Sequence, residues 1–93
     1  MIRRTFTAAM RPGATPQTVT GYEFTAEGVT LCVHRSLAGC GDGWSVSEPV
    51  TGRKVLGFSE STRVEAIDAA RRRAYVKGAD ALRRAIAAAA AAA

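Results

Sequence analysis

No run of about twenty large apolar residues occurs in this 93-residue chain, so nothing in it reads as a membrane-spanning helix. Cysteine is nearly missing: Cys32 and Cys40 alone cannot build a disulfide framework. With no secretory leader legible, a reducing, cytoplasmic setting and free thiols are expected, Cys32 as a small buried or half-buried strand residue. The first 22 residues hold no acid and three arginines, which gives them a superficial likeness to a transit peptide. They lack an apolar h-region, and Pro12-Gly13 and Pro16 interrupt any amphipathic helix. Residues 1–17 are therefore expected to be a flexible or strand-like basic arm. Aromatics make up only 6% of the chain, and the 47% hydrophobic content leans on alanine, which fills the final seven positions. One thin core is what remains possible at this length, on the scale of a helix laid on a sheet.

What is present alternates. Tyr22, Phe24 and Ala26 share one face, and after Glu27-Gly28 so do Val29, Leu31 and Val33, the period-two pattern of a hairpin. Residues 37–43 (LAGCGDG) read as a glycine-rich connector. Trp44 and Val46 restart the alternation, 48–52 is a turn ending on Gly52, and Lys54 to Phe58 is expected as a fourth strand. Thr62 and Glu65 have capping-box spacing for a helix start. Val64, Ile67, Ala70 and Ala74 with Tyr75 follow as the stripe expected to face the sheet, and Gly78 as the helix stop. Ala79-Asp80 then opens a short second helix through Leu82 and Ile86. The fold class is α+β: an antiparallel sheet of three to four strands with one main helix on one face, and a possible second C-terminal helix. The domain spans 18–86, and 87–93 is an alanine tail without side-chain information.

Candidate chemistry is sparse. His34, the one histidine, sits two residues from Cys32, which separates the side chains by about 7 Å along a strand, too far for a direct dyad. Cys32, His34, Cys40 and Asp42 form a conceivable ligand set, but no closed-site spacing such as C-x₂-C occurs. A solvent-facing strand histidine is expected, with no metal, no cofactor and no catalytic residues. The glycines of 39–43 precede a strand rather than a helix, so no helix N-terminus is offered to a phosphate.

Charge is more informative. Residues 1–22 carry +3, residues 23–60 carry five acids against three bases, and residues 61–93 carry seven bases against three acids. Helical geometry disperses Arg71-Arg72-Arg73, since successive residues lie about 100° apart. Asp68 and Arg72 are spaced to pair, and Arg71 to lay its stem along the apolar stripe. That leaves Arg73 and Lys77 as a basic ridge, extended by Arg83 and Arg84. Arg53 and Lys54 at the hairpin turn come next, with Arg3, Arg4 and Arg11 as auxiliaries. Such a set suits phosphate contacts. Trp44 is assigned to the core beneath the helix.

The run Trp44-x-Val46, Thr51-Gly52-Arg53-Lys54, Gly57-Phe58, Glu65-Ala66 and Ala69-Ala70 resembles DNA-binding modules built from a three-stranded sheet and a helix. These are the arm-binding domains of tyrosine integrases and the ethylene-response-factor type domains, and the likeness covers roughly residues 28–76. It implies an open sheet face that enters the major groove with arginine and aromatic side chains. Here that face would show Thr30, Cys32, His34, Ser45 and Ser47 instead, so the likeness implies the fold more than the base reading. The chain also has the style of small phage or mobile-element accessory proteins. The expected function is thus non-enzymatic binding of nucleic acid or of a nucleic-acid-handling complex. The alternative is an anti-CRISPR-like inhibitor that docks on a host defence complex through protein contacts at its open face or strand edges. An acidic protein or nucleoprotein is then the partner, and neither a membrane nor a small-molecule substrate is expected.

Overall fold

The computed structural model describes residues 2–8, 15–37, 42–56 and 59–91 of the chain. They begin with a hairpin: β2 (Gln17–Ala26) and β3 (Val29–Arg35) pair from Ala26↔Val29 to Tyr22↔Val33. Glu27 and Gly28 join them, both at positive φ (51° and 73°), the mirror-image turn whose twist matches that of the strands. The residues expected on one face meet there across the ladder.

The arm ahead of β2 supplies β1 (Arg3–Ala8), an edge strand with Phe6 opposite Val19 and Ala8 opposite Gln17. On the other side, β4 (Trp44–Ser47) pairs with β3, and β5 (Ser59–Glu60) with β4. The sheet is an antiparallel meander in chain order, of five strands rather than the three to four expected. The fourth strand expected over Lys54 to Phe58 is displaced. After one isolated bridge, Glu48↔Arg53, the chain turns, and Val55 and Leu56 pack on the helix-side core instead of pairing with β4. Ser59 takes the place opposite Ser45, while Gly57 and Phe58 lie outside the described residues.

Helix α1 (Arg63–Lys77) begins at Thr62, whose Oγ1 accepts from the Glu65 N–H at 3.1 Å and donates to Glu65 Oε1 at 2.9 Å. Gly78 ends it, donating its N–H to the Ala74 carbonyl, and α2 (Ala79–Ala91) follows, running well into the alanine tract. The buried stripe of α1 is Ala66, Ile67, Ala69, Ala70 and Ala74. Val64 and Tyr75, expected in that stripe, are 73% and 77% exposed. Four alanines at the contact let the helix axis come close to the sheet, and Val64 and Tyr75 lie beyond the Ile67 edge of the buried arc.

Between helices and sheet lies the main core, with Phe24, Leu31, Val33, Val46, Ile67 and Leu82 at its centre. Complete burial of a leucine such as Leu31 or Leu82 contributes roughly 1.5–3 kcal/mol. Trp44 packs against this cluster but stays partly exposed rather than fully buried. A second, smaller cluster of Phe6, Ala8 and Cys32, joined by Val19 and Leu37, lies on the far face of the sheet.

Candidate functional site

The far face is closed where the sequence suggested an open one. Thr30 is exposed, but Cys32, His34, Ser45 and Ser47 are all buried, His34 at 1% exposure. The solvent-facing histidine is thus corrected: β1 brings Phe6 edge-on to the imidazole at 5.6 Å, a contact between residues 28 positions apart that no local pattern shows. His34 Nδ1 lies 2.6 Å from the Arg35 carbonyl oxygen, which can only accept, so Nδ1 carries the proton and Nε2 accepts from the Ser47 hydroxyl at 2.7 Å. Ser36, Ser45 and Ser59 form a neighbouring hydroxyl chain through two 3.1 Å contacts.

A serine hydroxyl on an imidazole whose other nitrogen is anchored has the pattern of an activated nucleophile. Ser47 is only 4% exposed, however, and it does not line the cationic groove described below. The arrangement is that of a satisfied buried polar network. Burial is also the main influence on both titratable groups. It lowers the His34 pKa from its ordinary value, with Lys54 adding to the effect and the Arg35 carbonyl opposing it. Burial raises the Cys32 thiol to about 11, with a further push from the Glu23 carboxylate.

Cys32 is therefore a protonated thiol at neutral pH. Its alkylation by iodoacetamide is expected to be negligible in the folded state and rapid in denaturant, read by mass spectrometry with Cys40 as the internal comparison. Rapid native labelling of Cys32 would contradict its burial. Among the described residues no group of three His, Cys, Asp or Glu is placed to hold a metal, and Cys40 lies outside them.

The basic residues converge in part. Arg73 and Lys77 line one flank of α1 together with Arg72, and Val55, Leu56 and the 85%-exposed Val76 complete the lining of a groove between that flank and the chain after β4. This groove has a volume of about 540 Å³. Arg53 and Lys54 immediately precede Val55, and Lys54 Nζ reaches Ser59 Oγ at 3.4 Å. Arg72 also pairs with Asp68, as its spacing implied. The i, i+4 pair Arg72–Val76 puts a cation beside an aliphatic residue, and Arg73–Lys77 puts two cations side by side.

The remaining candidates lie elsewhere. Arg83 sits by the β2–β3 turn, 3.9 Å from Asp80, and Arg84 is exposed on α2. Arg3 is exposed at the start of β1, Arg4 is bound to Glu23 at 3.2 Å, and Arg11 lies outside the described residues. Three further arginines stack on aromatics: Arg35 over Trp44 at 4.6 Å, Arg63 over Tyr22 at 4.7 Å and Arg71 over Phe24 at 5.7 Å. Their apolar stems and flat guanidiniums cover the margins of the core.

Comparison with protein-family models, curated proteins and solved structures gives no match for this chain. Among the described residues, no helix is long and apolar enough to cross a membrane.

Proposed function

We propose that this chain is a small binding module that holds nucleic acid, free or within a nucleic-acid-handling complex, against the cationic groove on α1. The observation that carries the reading is the gathering of Arg72, Arg73 and Lys77 around one depression, beside Arg53 and Lys54. Phosphates laid along it would release counterions, which makes affinity fall steeply with salt. The aliphatic lining of Val55, Leu56 and Val76 supports a second reading, an acidic protein surface in the same groove.

Fluorescence anisotropy with labelled duplex DNA, single-stranded DNA and RNA tests the first reading. Three phosphate contacts give a log–log salt slope of about −2.7 on a duplex, or roughly a 40-fold loss of affinity between about 50 and 200 mM salt. Replacing Arg73→Glu and Lys77→Glu together is expected to abolish binding while leaving the circular dichroism spectrum unchanged. Affinity indifferent to salt, or to that double replacement, ends the nucleic-acid reading. No affinity for any of the three nucleic acids transfers the groove to the acidic-protein reading.

A further inference from the structure

The outer face of α1 carries large apolar side chains in water. Val64, Tyr75 and Val76 stand exposed there, while Ile67 and the buried alanines occupy the side turned to the sheet. Single exposed apolar residues are ordinary, but three on one face of one helix are not scattered. The charges between them are ordered. Val64, Asp68, Arg72 and Val76 recur at four-residue intervals and form one ridge about 18 Å long, which reads apolar, acid, base, apolar. Taken from the other end, the same ridge reads apolar, base, acid, apolar, which is its own complement. The neighbouring charges are committed elsewhere. Arg71 donates to the Thr25 carbonyl oxygen at 3.2 Å and stacks over Phe24, and Glu65 is held in the Thr62 cap.

From this order we infer that the outer face of α1 is a docking surface for a second copy of this chain, packed antiparallel across a two-fold axis at the middle of the ridge. With the two helices reversed, Val64 meets the partner's Val76 and Asp68 meets the partner's Arg72. Each contact occurs twice, as an isologous interface requires. The Asp68–Arg72 pair within each chain is not broken. The two pairs close into a ring of alternating charge, in which every carboxylate gains a second guanidinium. Parallel alignment instead sets acid on acid and base on base, and is repelled. The charge order thus selects both the occupant and its direction. A contact confined to one helix face is smaller than the about 800 Å² per partner of a standard interface, so a weak dimer is expected, with a Kd on the order of 10–100 µM. The pairing is independent of the nucleic-acid reading: it takes Arg72 and Val76 from the rim of the cationic groove and leaves Arg73 and Lys77 outside.

The test is sedimentation equilibrium of the full chain between about 10 µM and about 1 mM. The weight-average mass is expected to climb from 9.8 kDa towards twice that value. Asp68→Arg gathers four arginines at the crossing, and Arg72→Asp four aspartates; each is expected to weaken the dimer at least about tenfold. Mixing the two variants should restore association, because the arginines of one chain then face the aspartates of the other. Exchanging both residues within one chain, Asp68→Arg with Arg72→Asp, should restore it too. Both side chains are exposed, and an unchanged circular dichroism spectrum shows that the fold is kept. Arg73→Glu with Lys77→Glu should leave the dimer intact while removing nucleic-acid binding, which separates the two readings. A chain still monomeric at about 1 mM overturns the inference and leaves the stripe to a different protein. So does a dimer that either single reversal leaves unchanged, or one that neither the mixture nor the exchange restores.

Discussion

Gly52→Ala is expected to remove a large part of this protein's stability. Gly52 has φ of 71°, a region in which a Cβ costs about 1–2 kcal/mol. Space is the larger objection. A Cβ at this position would overlap the Thr7 carbonyl oxygen and stand 3.0 Å from the Thr7 carbonyl carbon and 3.1 Å from Ala8 Cα. All three are backbone atoms of β1, and none can rotate away. The turn is also rigid from its other end, because the buried Glu48 carboxylate accepts from the N–H groups of Val50 at 3.0 Å and Thr51 at 2.7 Å.

Relief therefore requires the turn and β1 to separate, which opens the far face of the sheet over Cys32 and His34. A loss above about 4 kcal/mol is expected, against a total of roughly 5–14 kcal/mol for a chain of this length. Urea denaturation followed by circular dichroism measures it. Gly78→Ala is the control: its φ of 89° is equally unsuited to alanine, but nothing lies within 4 Å, so only about 1 kcal/mol should be lost. Equal losses in the two variants would show that the approach to β1 is not what demands glycine.

The second large effect is expected at His34, through pH. Its folded-state pKa is depressed, chiefly by burial, while in the unfolded chain it takes its ordinary value near 6.5. Between those two values the unfolded chain binds a proton that the folded chain does not. The stability held by the neutral imidazole is thus complete above about pH 6.5 and is lost as pH falls from there through the folded value. The hydrogen-bond pattern permits protonation, since Ser47 Oγ can accept from an Nε2–H; desolvation is what opposes it.

The melting temperature is accordingly expected to fall between about pH 6.5 and 5, above the range in which ordinary carboxylates titrate. His34→Gln removes the titration and should flatten that part of the curve. It should also lower stability at neutral pH by about 1–3 kcal/mol, by leaving a buried partner poorly bonded. A wild-type curve that is flat over this interval would mean that His34 is solvated.

Much of the architecture was legible because it is local. The Glu27-Gly28 turn, the alternation from Tyr22 to Val33, the Thr62–Glu65 cap, the Asp68–Arg72 pair and the stop at Gly78 each depend on residues within a few positions of one another. Their spacing carries the geometry directly. The errors share a cause of the opposite kind. His34 has the alternation of an outward-facing strand residue, and Phe6, arriving on β1, packs against it and helps make its face an interior one. Val64 and Tyr75 have the helical spacing of core residues, but burial on α1 follows the arc of Ala66, Ile67, Ala69, Ala70 and Ala74, and both lie beyond its Ile67 edge. Lys54–Phe58 has strand composition, yet Val55 and Leu56 leave the sheet and pack against the helix-side core.

The cationic groove belongs to the same category. The sequence by itself determined that Arg73 and Lys77, one turn apart, share a helix flank and that Arg72 is spaced to pair with Asp68. Which segment completes that flank was decided only by the tertiary fold, which brings Val55 and Leu56 after β4 against it. The physical reason is range. Turns, caps and i, i+4 pairs are settled by backbone geometry over a few residues. Burial and pocket shape instead depend on surfaces brought together from distant parts of the chain, each of which reads as solvent-exposed until the other arrives.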